Sequence, residues 1–297
     1  KTSLNMKPCA GYSGLSSTPR VPTKIGVLDS GVGGLSVLQH IHRLLPDIPT
    51  LYFADQGHVP YGPRPKHEID TYVTAIARFL MGQGARVIVV ACHAASAASL
   101  YHLRAAYPDV PFVGIEPAVK PAAAATRSGV IGVLTTKATA EGQLYRRVIE
   151  RFAADVRVLT RVAPDLVDIV ERGQQHTPAG RDALQRHVAA LTAEGVDQIV
   201  LACTHFPFLA DEIRALAGPG VALVDPGPAV ARRVAQVLPR SGTNNGAIGA
   251  IVEPHRYFTS GDPARFGEVL ALLLGESAVV TGVEWLPASG DYGILTP

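Results

Sequence analysis

The chain contains nearly the same strand twice, and each copy ends in a cysteine. One copy is VIVVACHAAS, Val87 to Ser96, with Cys92; the other is QIVLACTHFP, Gln198 to Pro207, with Cys203. Each opens with a short β-branched apolar run, the kind buried on both faces of a parallel sheet, and each is followed by residues able to open a helix. In open α/β sheets the residue just past a strand's carboxyl end faces the crevice where ligands bind. Two such strands constrain the chain to a parallel α/β architecture with a thiol at each of two strand ends. That placement suits moving a proton from one face of a carbon to the other.

A second echo has the same sense. IGVLDSGVGG, Ile25 to Gly34, resembles IGVLTTKATA, Ile131 to Ala140, at nearly the offset of the cysteine strands. Two related units predict two pseudo-symmetric α/β lobes with parallel sheets and an active site between them. The length of 297 residues allows about two domains. Strands are expected at Ile25–Leu28, Thr50–Phe53, Val87–Ala91, Phe112–Ile115, Val130–Leu134, Val156–Leu159, Gln198–Ala202 and Val221–Val224, with another near Arg256–Thr259. Helical periodicity fills the gaps: Ile69, Tyr72, Val73, Ile76, Phe79 and Leu80 keep it, as do Leu184, His187, Val188 and Leu191. Further helices are expected over Pro228–Leu238 and Pro263–Leu274. The first lobe is expected over 24–117 plus 226–275 and the second over 118–225, with crossings near Glu116–Ala118 and Val224–Gly227. Residues 1–23 read as a disordered leader, Ser241–Gly246 as a flexible stretch and 276–297 as a C-terminal extension.

Composition narrows the function classes. Hydrophobic residues are 47% and charged residues 18% of the chain, and the net charge is +2 with both signs interspersed. No Lys/Arg-dense stripe with interleaved aromatics is present, so nucleic acid is not an expected partner. No apolar run of about 18 residues occurs, so no membrane span is expected. The cysteines are Cys9, Cys92 and Cys203. So sparse a set argues for a reducing, cytoplasmic compartment over a disulfide scaffold. Cys9 falls in the leader and is given no catalytic role.

Several motifs carry chemistry. Asp29 and Ser30 end the first strand, before Gly31, Gly33 and Gly34, and Asp55 closes the second within YFADQGHVPYG. This only loosely matches a dinucleotide fingerprint. The third glycine position holds Ser36, and Asp29 would set a carboxylate against a pyrophosphate. A carboxylate there suits an ammonium group, or caps the next helix. Cys92 and Cys203 each precede a helix N-terminus, whose positive end favours a thiolate. A buried, inert cysteine is the plainer reading of either alone; their duplication argues for a paired acid and base. His205, two residues past Cys203, can relay protons to it or be a hydrogen-bonded structural histidine. The Cys92-His93 and Cys203-Thr204-His205 spacings do not follow zinc-ligand patterns, so no metal is expected.

Together these motifs resemble the glutamate racemase family, the cofactor-independent amino-acid racemases of cell-wall synthesis. The resemblance runs from about Ile25 to Gly267 through IGVLDSGVGGLSVL, YFADQGHVPYG, the two cysteine strands, LACTHFPFL, VDPG and YFTSGDPARF. It implies two lobes, no cofactor, an acidic amino-acid substrate and a homodimer. It also implies opposed acid and base roles for Cys92 and Cys203, assisted by Asp29 and His205, with Glu171 as a further acid. Substrate binding carries over to Ser30, Asp55, Pro60, Tyr61, Gly62, Thr139 and Thr204. The product implied is D-glutamate for peptidoglycan. The family usually reads Cys-Asn-Thr where this chain reads Cys92-His93-Ala94. His93 and Ala94 therefore stand where side chains donate to the substrate, and Ala94 has no donor to give. That change leaves open another acidic amino acid as substrate, weakened activity, or a binding protein with silent thiols.

Overall fold

A computed structural model of the protein describes residues 23–239, 253–286 and 293–295. Cys9, residues 1–22 of the expected leader and the Ser241–Gly246 stretch lie outside them. The first run of elements is β1 (Lys24–Asp29), α1 (Leu35–Leu44), β2 (Thr50–Ala54), α2 (Lys66–Gly82), β3 (Ala85–Val90), α3 (His93–Ala106) and β4 (Phe112–Gly114). After α4 (Val119–Ala125) come β5 (Val130–Thr135), α5 (Lys137–Glu141), α6 (Gln143–Phe152), β6 (Arg157–Val162), α7 (Pro164–Glu171), α8 (Pro178–Thr192) and β7 (Gln198–Ala202). A 3₁₀ turn at Phe206–Leu209 leads into α9 (Ala210–Ala217), then β8 (Ala222–Val224) and α10 (Gly227–Val237). The chain closes with β9 (Arg256–Thr259), α11 (Pro263–Leu274), β10 (Val280–Gly282), β11 (Glu284–Leu286) and β12 (Gly293–Leu295).

The strands form two parallel sheets and one antiparallel pair, β11 with β12. The first sheet has the order β10-β9-β2-β1-β3-β4 and the second the order β6-β5-β7-β8. The block β2-β1-β3-β4 is thus repeated as β6-β5-β7-β8. The two sequence echoes fall on equivalent strands, β1 with β5 and β3 with β7. The chain passes to the second sheet after β4 and returns to the first after β8. The protein is an α/β fold of two lobes, and each helical crossover covers a face of its parallel sheet.

Burial explains why these strands read as continuous apolar runs. Every residue of β2 and β7 is buried, as are five of the six in β1. One core cluster is shared by both lobes: Val27, Val89, Leu134, Leu201, Leu166 and Phe206 belong to it, with α1 and α10 contributing Leu38, Ile41, Val230 and Val234. The outer faces have separate clusters, around Phe53, Ile76 and Phe258 in the first lobe and Val133, Tyr145 and Val200 in the second.

Two differences from the sequence expectation have clear causes. Strand β6 extends to Val162, beyond Leu159, and its residues are only intermediate or exposed; an edge strand with polar alternation gives a weak apolar signal. Within 276–297, β10 pairs in parallel with β9 and adds a sixth strand to the first sheet. Its three residues are too short for periodicity to show.

A histidine pair ties the returning chain to the first lobe. His42 of α1 and His255 before β9 stack with ring centroids 3.9 Å apart. Thr50 Oγ1 lies 2.9 Å from His42 Nε2 and 3.0 Å from His255 Nδ1, and the Thr50 N–H donates to His255 Nδ1 at 3.3 Å. That nitrogen must accept, so the relay needs a neutral His255 ring. Burial and the facing His255 push His42 down to about 4, and burial pushes His255 down as well. Both values fall below that of an unfolded histidine, so this contribution is complete above about pH 6.5. It is lost as pH falls toward 4. We expect urea midpoints to drop across that window, and the drop to flatten in His42→Gln/His255→Gln; an unchanged profile would exclude the relay from acid stability.

Candidate active site

The site lies where the carboxyl ends of both sheets meet. Ser30 follows β1, Cys92 follows β3, Thr136 follows β5, and Cys203, Thr204 and His205 follow β7. Together with Pro60, Tyr61, Gly62, His93, Ala94 and Val167 they line one cavity. Its volume is about 20 Å³, room for about one water. An amino acid is larger, so binding one requires these walls to part.

A tight turn brings the charged groups in close. Asp29 is fully buried, and its Oδ2 accepts from the N–H groups of Gly31 (3.1 Å) and Gly34 (3.0 Å), its Oδ1 from Thr204 Oγ1 (3.3 Å). The glycines are needed for space: a Cβ on Gly31 would sit 2.6 Å from the Glu171 carboxyl carbon, and one on Gly33 2.7 Å from Thr204 Oγ1. The glycine-rich turn thus lets a carboxylate and an imidazole approach. It is not shaped for a pyrophosphate.

Behind the cavity runs a chain of hydrogen bonds. Cys203 Sγ lies 3.5 Å from His205 Nδ1, and His205 Nε2 lies 2.6 Å from Glu171 Oε1. Glu171 also accepts from the Val32 N–H at 2.8 Å and from Gln56 Nε2 at 3.2 Å. Burial opposes charge on both His205 and Glu171, but the contacts with Cys203 and then Glu171 outweigh it for His205, and the hydrogen bond from His205 outweighs it for Glu171. His205 is held well above the usual imidazole range with the help of Cys203, and Glu171 is held below the usual carboxylate range. The pair is therefore an imidazolium against a carboxylate.

The opposite thiol is set differently. Burial and the Asp29 charge push the Cys92 thiol up, against the Ala95 N–H at the start of α3. Its Sγ lies 3.9 Å from Ser30 Oγ as a weak donor. Burial also raises Asp29 to about 6, against the pull of His205 and the Gly34 and Gly31 N–H groups. His93, buried in the wall, is pushed down to about 3 by burial, against the nearby Asp225.

Not every expected residue reaches the cavity. Ser30, Pro60, Tyr61, Gly62, Cys92, His93, Ala94, Cys203, Thr204 and His205 do. Asp29 and Glu171 stand one layer back, behind Thr204 and His205. Asp55 is also in the second layer, where it accepts from Tyr61 (2.6 Å), Ser260 (2.6 Å) and Trp285 Nε1 (3.0 Å) and faces His58 Nδ1 at 2.9 Å. With those partners it fixes the Tyr61 ring, so its link to the cavity is indirect. Thr139 backs Thr136, with their hydroxyls 3.2 Å apart. Thr136 and Val167 are the two wall residues missing from the sequence reading. The internal echo contained Thr136, because it occupies in IGVLTT the place Ser30 holds in IGVLDS. Val167 gave no signal, being one more apolar residue on α7.

Among the described residues, no three His, Cys, Asp or Glu side chains gather as a metal-ligand group. The arrangement offers two thiols, one imidazolium-carboxylate pair and a second carboxylate around a shielded point: the equipment for proton transfer. In Glu171→Gln the carboxylate is gone, so the His205 titration should fall toward the ordinary imidazole value. NMR of the ring protons reads this directly, and an unmoved titration would show that Glu171 does not hold the charge.

The comparisons agree with this chemistry. Residues 25–234 match the family model for Asp/Glu/Hydantoin racemase. The glutamate racemase of Ectopseudomonas mendocina is 48% identical over 256 residues, covering 86% of this chain and 96% of that protein. That of Pseudomonas syringae pv. tomato is 46% identical over 255 residues, 86% of this chain and 92% of the other. Among solved structures, Escherichia coli glutamate racemase, determined with L-glutamate and the activator UDP-MurNAc-ala, superposes with a TM-score of 0.78 at 31% identity, covering 93% of this chain and all of that one. A Bacillus anthracis glutamate racemase isoform gives 0.76 at 31% identity, covering 88% and 97%. By its motifs, its two-lobe fold and these likenesses, the chain belongs to the Asp/Glu/Hydantoin racemase family and is an amino-acid racemase.

Proposed function

We propose that this protein interconverts L- and D-glutamate with Cys92 and Cys203 as the acid and base, and so supplies D-glutamate for peptidoglycan. The observation that carries the reading is that the two cysteines, from different sheets, line one small cavity. A single group cannot stand on both faces of a carbon, so two enantiomers need two bases. In one direction Cys203 acts as a thiolate, with the His205 imidazolium beside it and the Glu171 carboxylate behind. The Cys203 thiolate then removes the α-proton, the C–H electron pair stays on carbon, and the Cys92 thiol delivers its proton to the opposite face. The other direction exchanges the two roles.

The electrostatics support this division. The Asp29 charge opposes ionisation of Cys92. A substrate ammonium arriving beside Asp29 offsets that charge and stabilises both the carboxylate and a thiolate. Exclusion of water strengthens each of these interactions. Ser30, Tyr61, Gly62, Thr136 and Thr204 orient the ligand from the wall, backed by Asp55 and Thr139.

Incubation with L-glutamate in deuterated water tests the reading. Racemisation with deuterium at the α-carbon is expected, and replacing Cys92 or Cys203 by Ser should lower turnover roughly 10²- to 10⁴-fold. Full two-way activity in either variant would defeat the two-thiol mechanism, and exchange only with a different amino acid would reassign the substrate. Because Asp29 must carry charge to hold the ammonium, kcat/KM should fall as pH drops through about 6. An Asp29→Asn variant should lack that limb. Its persistence there would assign it to another group.

A further inference from the structure

The chain beyond α11 folds back toward the active site. The Val283 N–H donates to the Thr259 carbonyl at 2.9 Å, and this bond leads the chain from β10 into β11. There stands Trp285, the sole tryptophan of the sequence. Its Nε1–H donates to Asp55 Oδ1 at 3.0 Å, and its ring meets those of His58 and Tyr72 edge-on, with centroids 5.0 and 5.5 Å apart. With Ile294 of β12 it packs against the core cluster that contains Tyr61, Cys92 and Ala94. The family resemblance ends near Gly267, so it implies no role for Trp285.

Asp55 is fully buried, and a carboxylate so placed is tolerated only where hydrogen-bond partners surround it. Its partners come from three parts of the chain: His58 and Tyr61 from the loop after β2, Ser260 after β9, and Trp285 on β11. Of these four, only Tyr61 lines the cavity. Given the racemase reading of the site, we infer that Trp285 is a positioning residue: it fixes the Asp55 carboxylate, which holds the Tyr61 hydroxyl and with it the ring that faces the ligand. A carboxylate is planar and rigid, so a donor on Oδ1 orients Oδ2, the oxygen that accepts from Tyr61 at 2.6 Å. Bonds to a charged acceptor are short and strong enough to set such an orientation. The coupling is mutual: a ligand that displaces Tyr61 disturbs the same bonds at Trp285.

Trp285→Phe keeps an aromatic ring and removes the N–H. Its kcat/KM for glutamate should fall roughly three- to tenfold, chiefly through KM. In a Tyr61→Phe background, where Asp55 has no hydroxyl to hold, the same substitution should cost less than about twofold. A merely structural role would give equal factors in the two backgrounds, and that result would overturn the inference. The parent protein supplies a second readout, because its tryptophan emission comes from Trp285 alone. Racemic glutamate should change that emission saturably, and far less in Tyr61→Phe. An emission that glutamate leaves unchanged in an actively racemising parent would overturn the inference, and it decides the matter should Trp285→Phe not fold. Racemisation by the parent is scored under the same conditions. Its absence would defeat the racemase reading and this role with it, whereas an active parent with a silent indole defeats the role of Trp285 alone.

Discussion

A buried ion pair organises this protein. Glu171, on α7 of the second lobe, accepts from His205 at 2.6 Å and from the Val32 N–H of the first lobe at 2.8 Å. One carboxylate thereby joins the turn after β1, the end of α7 and the loop after β7. Burying that charge is tolerable only with dense hydrogen bonding around it. The glycines at 31, 33 and 34 are the geometric condition for it, because side chains there would occupy the space of the Glu171 carboxyl, the His205 ring and Asp29. The interlobe register and the charge state of His205 therefore have a common origin.

The duplicated topology supplies the rest. Repeating β2-β1-β3-β4 as β6-β5-β7-β8 sets β3 and β7 in equivalent places, so the cysteines that follow them approach one point from two sheets. The surroundings are not symmetric. His205 and Glu171 stand behind Cys203, whereas Ser30 and the Asp29 charge stand near Cys92. Equivalent strand ends thus carry thiols with unlike neighbours. The shared core beneath, with Val89, Leu134, Leu166 and Leu201 in one cluster, holds these strand ends in place.

Much of this was legible in the chain. Buried parallel strands are continuous β-branched runs, so β1, β2, β3, β5 and β7 were recognisable with small boundary errors. Cys92, Cys203 and His205, next to such strands, were readable for the same reason, whereas Ser30 and Thr204 came from the family resemblance; all five line the cavity. Thr136 was concealed in plain view by the internal echo. The edge strands β6 and β10 and the β11–β12 pair were missed or shortened, being short, exposed or paired at long range, and local periodicity does not register such pairing.

The sequence by itself determined the α/β alternation, the duplication and the two thiols at strand ends, because strand burial and strand-end position are written in local residue order. Only the tertiary structure decided which residues touch the cavity and which stand behind it. Asp55 and Thr139 moved to the second layer, and Val167 came to the wall. It also decided that Glu171 and Cys203 favour the charged form of His205, and that the His93 ring nitrogens have no hydrogen-bond partner among the described residues. Those outcomes depend on burial and on contacts between residues far apart in the chain, such as Val32 with Glu171, and a hydrogen bond of that kind leaves no trace in local order.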